Sequence, residues 1–424
     1  MIVGLDVGTS RTRAVVGEWN EKGVVEIIGV GSAPSTGLRR GVVVNIEATL
    51  ASIADAVEAA ELMSGREIKD CFVGVAGANI EGINSRGVVA VSGRNREITH
   101  EDIARVIEAA RAVVIPMDRE VLHVVPQTFI VDDQKGVRNP LDMIGVRLEA
   151  EVHIITGSVT TAQNLVKCVH RAGFQVERLV LQSLAASRSV LNPEEKELGC
   201  LLIDLGAGTT DLLVYAEGAP YFTSVVPAGG AQVTNDLAIM MSIPMDLAEK
   251  VKRDYASCWM PALEADDRFV LPGIGSRPPE EVQRRKVASI VQPRMEEIFA
   301  LARERLDKMG HLRHVGGGIV LTGGGALMQG APELAHAIFD LPVRVGYPRS
   351  VGGLVEDFRS PIWATGVGLV LLGAESVPPE PRRGEPRGQQ ASKAPKAQGG
   401  ERNERKPKGQ SLGRIISWLK EGFF

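Results

Sequence analysis

Two stretches of similar composition contain residues that could bind phosphate together with a metal ion. The first, residues 2–16, reads IVGLDVGTSRTRAVV, and the second, residues 201–214, reads LLIDLGAGTTDLLV. Each has an Asp-x-Gly turn and small hydroxyl residues between two apolar runs, which is typical of a β-hairpin with an exposed tip. Glycines lack a Cβ, so an anion can approach their backbone N–H groups, and hydroxyl groups add further donors. The residues of these turns that we expect in a cofactor site are Gly8, Thr9, Ser10, Arg11, Gly206, Gly208, Thr209 and Asp211.

Acidic residues accompany both turns. Asp6 and Asp204 bring negative charge that would repel a bare phosphate. That conflict disappears if Mg²⁺, bound through its water molecules, lies between carboxylate and phosphate. One such stretch alone would equally suit an ordinary hairpin with a glycine turn. The repetition of the pattern favours a Mg²⁺–phosphate site instead.

The position of the two copies predicts how the chain is organised. A repeat near both ends of a long core indicates two related domains that face each other, with both tips on one nucleotide. A third stretch, residues 319–326, reads IVLTGGGA, which predicts a strand that runs into glycines and then a helix. Ribose and adenine could lie on the backbone of Gly323, Gly324 and Gly325, with a helix N-terminus offering N–H groups.

This order of motifs resembles the ATPase superfamily of actin, the DnaK-type chaperones and the sugar kinases. The resemblance implies an α/β fold of two lobes, built from duplicated ribonuclease-H-like domains, with ATP and Mg²⁺ in the cleft between them. It also implies that Asp6 and Asp204 hold the metal through water and take part in catalysis.

Composition limits the possible functions. A chain of 424 residues with 44% apolar residues is long enough for two globular domains. The formal charge is −4, but residues 375–424 carry eleven basic and six acidic residues. The rest of the chain is therefore acidic, which argues against nucleic-acid binding, while the basic end favours anionic surfaces.

The cysteines and the N-terminus predict a cytoplasmic protein. The four cysteines are widely spaced and form neither a Cys-x-x-Cys motif nor a zinc pattern, so we expect reduced, buried thiols at Cys71, Cys168, Cys200 and Cys258. Met1 leads directly into a predicted strand, and we therefore expect no signal peptide. No apolar run is long enough to cross a bilayer.

Residues 80–160 form a predicted α/β segment of their own. Strands are expected near residues 87–91 and 121–131, and a helix over 101–114 after the capping pattern Thr99-x-x-Asp102. The segment has no glycine-rich loop and no cluster of histidines or carboxylates, so its predicted role is contact. His153, and His170 after the segment, are interpreted as packing residues.

Further motifs resemble one branch of the superfamily, the FtsA family of actin-like cell-division proteins. They are RGVVVN (40–45), PQTFIVD (126–132), NPLDMIG (139–145), LEAEVHIIT (148–156) and PAGGAQVTND (227–236). The resemblance covers residues 1–373 and the extreme C-terminus. It implies a protein that polymerises, tethers FtsZ filaments to the cytoplasmic membrane at the septum and helps to recruit later division proteins. In this family the inserted subdomain contributes to filament contacts.

The resemblance divides the chain into six parts. They are a first-lobe core (1–79, 161–190 and 360–373), the inserted subdomain (80–160), a second-lobe core (191–229 and 310–359), an outer subdomain of the second lobe (230–309), a linker (374–410) and a membrane-targeting helix (411–424). In this family the outer subdomain binds the C-terminal tail of FtsZ.

Other site residues follow from the same resemblance. Gln182 lies at a predicted strand-to-helix junction where many relatives, FtsA proteins included, carry Glu and where actin carries Gln, which positions the attacking water. A glutamine at the end of a strand without a catalytic role is the alternative. Glutamine is a poor base, so at most slow ATP hydrolysis is expected. Glu249 and Lys252 resemble an adenosine-contacting pair, although a solvent-exposed ion pair at i, i+3 remains an alternative. Arg294, after Pro293 where the long helix is expected to break or start, matches a position linked to assembly, although surface charge alone could explain it.

The C-terminal part changes character. Residues 375–410 are rich in Pro, Gly, Gln and charged residues, which predicts a flexible linker. In the final segment, SLGRIISWLKEGFF, helical spacing places apolar residues largely on one side. These are Leu412, Ile415, Ile416, Trp418, Leu419, Phe423 and Phe424. An amphipathic helix that binds anionic lipids peripherally fits this pattern, and it matches the terminal helix of the FtsA family.

Two alternatives share the superfamily fold. A small-molecule kinase would need a catalytic aspartate facing an acceptor pocket, which no motif marks, and it leaves the terminal helix unexplained. A relative of the type IV pilus assembly ATPases would share the insertion, but it is not expected to end in a linker and an amphipathic helix.

Overall fold

The computed structural model describes residues 1–273, 275–276, 278–308, 310–353 and 358–376. The predicted terminal helix and nearly all of the predicted linker lie outside the described residues. The first residues assigned to the linker, 374–376, instead complete the last described helix. In the described part of the chain, no helix is both long enough and apolar enough to span a membrane.

These residues contain nineteen strands and ten α-helices, joined by loops and short 3₁₀ turns. The strands are β1 (Ile2–Val7), β2 (Arg11–Trp19), β3 (Val25–Pro34), β4 (Leu38–Arg39), β5 (Val42–Val43), β6 (Asp70–Val75), β7 (Glu81–Ala90), β8 (Arg119–Val131), β9 (Gln134–Val137), β10 (Arg147–Ser158), β11 (Gln175–Leu181), β12 (Cys200–Leu205), β13 (Thr210–Ala216), β14 (Ala219–Val226), β15 (Arg268–Leu271), β16 (Glu280–Gln283), β17 (Ile319–Thr322), β18 (Val343–Val345) and β19 (Gly352–Gly353). The helices are α1 (Ile46–Ser64), α2 (His100–Arg111), α3 (Val159–Arg171), α4 (Gln182–Val190), α5 (Pro193–Leu198), α6 (Gly230–Met241), α7 (Met245–Tyr255), α8 (Arg284–Asp307), α9 (Ala331–Phe339) and α10 (Ala364–Ser376).

The two central sheets share the same topology over five strands, which confirms the predicted duplication; β19 is an additional strand of the first sheet. The first sheet has the order β11-β6-β1-β2-β3-β19, and the second has the order β14-β13-β12-β17-β18. In both, three consecutive antiparallel strands are extended by parallel strands beside the first of them. Alternate apolar residues of β1 and β12 are buried on opposite faces of their sheets, so helices cover both sides.

The predicted insertion is a separate layer. Its sheet has the order β7-β10-β8-β9 and packs against α2. Thr99 and Asp102 cap α2 reciprocally, as predicted. Burial acts to raise the pKa of the Asp102 carboxyl, but hydrogen bonds from Thr99, Ser92 and Arg105 outweigh it and depress this pKa. The helix ends at Arg111, before the predicted end at residue 114.

Helices α4 and α10 cross between the lobes at very close range. A Cβ on Gly368 would lie 1.7 Å from the carbonyl oxygen of Ala185, and a Cβ on Gly4 would lie 2.6 Å from that of Gly366. Only glycine permits this approach of backbone to backbone. The small residues of α10 therefore serve close packing.

One expectation about the outer subdomain is wrong, and one strand was missed. Helix α8 neither starts nor breaks at Pro293 but runs continuously from Arg284 to Asp307. Apolar residues before and after the proline, among them Val291 and Met295, are buried in one core, and this packing outweighs the hydrogen bond that proline removes. Strand β16, which pairs with β15, was not anticipated because its polar residues carry no clear strand pattern.

Candidate functional site

The two hairpin turns have the same internal geometry. The Gly8 N–H donates to the Arg11 carbonyl at 3.1 Å, and the Gly206 N–H donates to the Thr209 carbonyl at 3.0 Å. Both tips point into the space between the lobes. A Cβ on Gly208 would lie 2.6 Å from the Thr9 hydroxyl oxygen, so the tips meet across the cleft.

A cavity of about 460 Å³ extends from these tips along the cleft. Every residue that the sequence assigned to catalysis or cofactor binding lines it. These are Asp6, Gly8, Thr9, Ser10, Arg11, Gln182, Asp204, Gly206, Gly208, Thr209, Asp211, Glu249, Lys252, Gly323, Gly324 and Gly325. Residues that sequence reasoning missed line it as well, namely Arg13, Gly41, Ala76, Gly229, Gly230, Arg253, Met328 and Thr365.

Two of the missed residues carried a signal in the sequence. In the register of the first hairpin Asp6 lies opposite Arg13, and the equivalent position of the second hairpin pairs Asp204 with Asp211. The turn length alone fixes this register, so Arg13 could have been found. Gly41 belongs to the motif at residues 40–45, and its N–H donates to the Thr9 hydroxyl at 3.0 Å.

Three carboxyl groups at the floor of the cleft have raised pKa values. Burial raises the pKa of Asp6 to about 6, although the nearby Arg13 guanidinium opposes this shift. Burial, with Asp211 and Asp6 nearby, raises the pKa of Asp204 to about 8. Burial also raises the pKa of Asp211 to about 7, against the hydrogen bond that it accepts from Thr209 at 3.0 Å. The difference between Asp6 and Asp204 follows from their cross-strand partners, a cation in one hairpin and a carboxyl group in the other.

The donor chemistry of this floor fits a hydrated divalent cation. The closest ion pair there is long, 3.8 Å between Asp6 and Arg13. Within the described residues, one buried carboxyl oxygen of Asp211 accepts no hydrogen bond. A cation near these carboxyl groups would favour their ionised forms and satisfy hard oxygen donors. No three such side chains in the described part of the chain converge closely enough to bind a metal directly.

Gln182 is held against the same carboxylates. It is the first residue of α4, directly after β11, and its Nε2 donates to Asp6 Oδ1 at 2.9 Å. This bond orients the amide and leaves its carbonyl oxygen as the group that could accept from a water molecule. The geometry therefore suits a residue that positions water, and it adds no base.

Glu249 and Lys252 form more than a solvent-exposed pair. Lys252 Nζ donates to Glu249 at 2.7 Å, to the Thr234 hydroxyl at 2.8 Å and to the Gly230 carbonyl at 3.0 Å. The Lys252 side chain is only 13% exposed. This network joins α7 to the start of α6 at the wall of the cavity.

The third glycine-rich stretch differs in one respect from the prediction. Gly323 has φ +80°, and a Cβ there would lie 2.3 Å from Asp204 Oδ1, so glycine is required. A short 3₁₀ helix, Gly324–Leu327, follows at once, and α9 begins only at Ala331. The helix expected directly after the glycines is therefore one 3₁₀ turn.

Arg294 lies outside the cleft, on the outer subdomain. It donates to both carboxylate oxygens of Asp236, at 2.6 and 3.2 Å, and it also pairs with Glu297. These contacts join α8 to α6 beside a groove of about 400 Å³. Ile239 and Met240 border that groove and are 65% and 68% exposed.

Comparison with known structures agrees with the fold described above. The structure titled "PilM-PilN type IV pilus biogenesis complex" matches with a TM-score of 0.63 at 18% identity, covering 88% of this chain and 98% of that chain. Two related lobes around a cleft with three glycine-bearing turns, together with an inserted subdomain, define the actin-like ATPase fold.

Sequence relatives identify the branch. The model "Cell division protein FtsA" matches residues 201–368, and "SHS2 domain inserted in FTSA" matches residues 77–156. The FtsA of Borreliella burgdorferi is 49% identical over 88% of this chain and 91% of its own length. That of Neisseria meningitidis serogroup B is 41% identical over 99% of this chain and 98% of its own. The chain belongs to the FtsA family of cell-division proteins, and the pilus-assembly alternative retains only a likeness of fold.

Proposed function

We propose that this protein binds Mg²⁺–ATP between its lobes, polymerises, and tethers FtsZ filaments to the cytoplasmic face of the membrane at the division septum. A further proposed role is the recruitment of later division proteins. The nucleotide proposal rests on the two matched hairpin tips, which meet above three carboxyl groups with raised pKa values.

Different residues of the cleft would contact the phosphates, the metal, the adenosine and the attacking water. The N–H groups and hydroxyls of the two turns would bind the phosphates, while Asp6 and Asp204 would hold the waters of Mg²⁺. The metal would supply positive charge against the phosphates. Gly323, Gly324 and Gly325 would support the adenosine, with Glu249 and Lys252 at its edge. Gln182 would orient water without removing its proton, so turnover would be slow.

Asp204→Asn tests the metal role. The variant should lose Mg²⁺-dependent ATP affinity by at least about tenfold, because one charge-assisted interaction is removed. Metal-free ATP binding should change much less. Asp133→Asn is the matched control, since the Asp133 side chain is fully exposed. Equal losses with and without Mg²⁺, measured by titration calorimetry, would contradict the proposal.

The groove beside Arg294 supports the proposed FtsZ contact. Exposed Ile239 and Met240 offer apolar surface that suits the apolar side chains of a peptide, while the Arg294 guanidinium is already paired with Asp236 and Glu297. Met240→Glu should weaken binding of a peptide from the FtsZ C-terminus by at least about tenfold, because it buries a charge. Val270→Glu, at a 64% exposed site on the same subdomain, should not. Equal affinities of the Met240 variant and the unmodified protein, measured by fluorescence anisotropy, would place the FtsZ contact elsewhere.

Membrane attachment is assigned to residues 411–424. Each bulky apolar side chain contributes at most ~1.5–3 kcal/mol on burial, before the cost of ordering the helix is subtracted. A single tail would therefore bind weakly and reversibly, as a peripheral attachment. A filament carries many tails, so neighbours would bind at high effective concentration and polymerisation would act as the membrane switch.

A further inference from the structure

The inserted subdomain packs against both lobes, beside elements that lead into the cleft. A small buried cluster joins Ile80 and Ile155 of the insertion to Leu181 of the first lobe and Val225 of the second. Leu181 immediately precedes Gln182, and Val225 lies near the end of β14. The insertion therefore packs at a junction of three parts of the molecule.

On the first-lobe side the contact includes one directed hydrogen bond. Nε2 of His123, on β8, accepts the backbone N–H of Leu181 at 2.9 Å. Burial and the charge of Arg178 lower the pKa of His123 to about 4, so the neutral ring keeps the lone pair that this bond needs. The bond fixes the peptide group one residue before Gln182, whose side chain reaches Asp6.

On the second-lobe side the contact is a buried bridge. His153, on β10, lies 2.6 Å from Asn84 Oδ1 through Nδ1 and 2.9 Å from the Thr223 hydroxyl through Nε2. The Asn84 amide donates to the Tyr221 carbonyl at 3.1 Å, and Gln127 donates to the Pro220 carbonyl at 2.9 Å. An Asn oxygen only accepts, so His153 donates from Nδ1 and accepts from Thr223.

Strand β14 connects this bridge to the cavity. After Val226 the chain leads to Gly229 and Gly230, both of which line the cleft. The Gly230 N–H donates to the Gly206 carbonyl of the second turn at 2.9 Å. If the second lobe moved relative to the first, the hydrogen bonds of His153 to the second lobe and of His123 to the first lobe would therefore be strained.

We propose that the inserted subdomain positions Gln182 through His123 and moves with the second lobe through His153. The position of the insertion and the state of the nucleotide site would then be coupled. His123 is a positioning residue, because it acts on Gln182 only through the backbone of Leu181. A partner or neighbouring copy that shifts the insertion would alter hydrolysis, and nucleotide would alter the insertion. This inference rests on the proposed nucleotide binding.

The test compares His123→Leu, which removes the acceptor, with His123→Gln, which supplies an oxygen near the position of Nε2. In the full chain, His123→Leu should slow single-turnover ATP hydrolysis by about tenfold and speed hydrogen exchange of the Leu181 amide by a similar factor, as expected for one lost hydrogen bond. ATP affinity should stay within about twofold, because His123 does not line the cavity. His123→Gln should recover most of both losses, and His170→Leu, at an exposed site on α3, should change neither.

Hydrogen exchange also tests the link in the other direction. Mg²⁺ with a non-hydrolysable ATP analogue should slow exchange in β7 and β10 as well as in the cleft, and His153→Leu should remove the effect on β7 and β10. Nucleotide protection confined to the cleft, or a His123→Gln variant as impaired as His123→Leu, would overturn the inference. Absence of any ATP binding in the unmodified protein would instead refute the proposed function. Hydrogen exchange of the Leu181 amide in the ligand-free protein would still test the bond to His123.

Discussion

Replacing Asp204 by Asn should stabilise the ligand-free protein, and the gain should grow with pH. Burial beside Asp211 and Asp6 raises the pKa of this carboxyl group from 3.8 to about 8. In the unfolded chain the same group ionises near its ordinary value. At pH values between these two pKa values the folded state binds more protons than the unfolded state, so the free energy of unfolding falls as pH rises. Asparagine carries no ionisable proton and escapes this loss.

The size of the effect follows from the shift. One pKa unit corresponds to about 1.4 kcal/mol, so a rise from 3.8 to about 8 costs the native state at most about 6 kcal/mol at high pH. Only the part of this free-energy change that falls between pH 5 and pH 8 enters the comparison, and water in the cleft lowers it further. We therefore expect the advantage of Asp204→Asn to grow by about 2–4 kcal/mol across that interval.

Urea denaturation without nucleotide and with a chelator measures this difference at pH 5 and pH 8. Asp133→Asn, at a fully exposed side chain, controls for the loss of one negative charge. Saturating Mg²⁺–ATP should narrow the difference by at least about 1.4 kcal/mol, the equivalent of a tenfold loss of affinity, because the proposed metal site needs the ionised Asp204. An Asp204→Asn variant no more stable than the wild type at pH 8, or an advantage equal at both pH values, would refute the reasoning.

Two further outcomes are expected. Gly208→Ala should lower ATP affinity by at least about tenfold in a titration, because the new Cβ would lie 2.6 Å from the Thr9 hydroxyl and 2.9 Å from Arg40 Cα and would force the tips apart; unchanged affinity would show that the tips need not meet. Trp418→Glu, or deletion of residues 411–424, should abolish co-sedimentation with anionic vesicles, which in the unmodified protein should rise steeply with concentration and ATP. An assembly-defective variant that binds vesicles as tightly as the wild type would contradict the avidity argument.

The sequence by itself determined the elements whose signals are local. The hairpins, the capping box of Thr99 and Asp102 and the buried cysteines all have the structure that their patterns predict. Side-chain periodicity and turn chemistry act over a few residues, so a short window of sequence contains them. The repeat of one hairpin near both ends of the core was enough to predict two related lobes.

Only the tertiary structure decided which distant groups meet and how burial changes them. It placed Gly41 on Thr9 and His123 on the Leu181 amide, neither of which is close in the chain. It kept α8 continuous through Pro293, because the core around the helix outweighs one lost backbone bond. It also raised the pKa values of the cleft carboxyl groups, because desolvation depends on every element packed around a group and has no signature in the neighbouring residues.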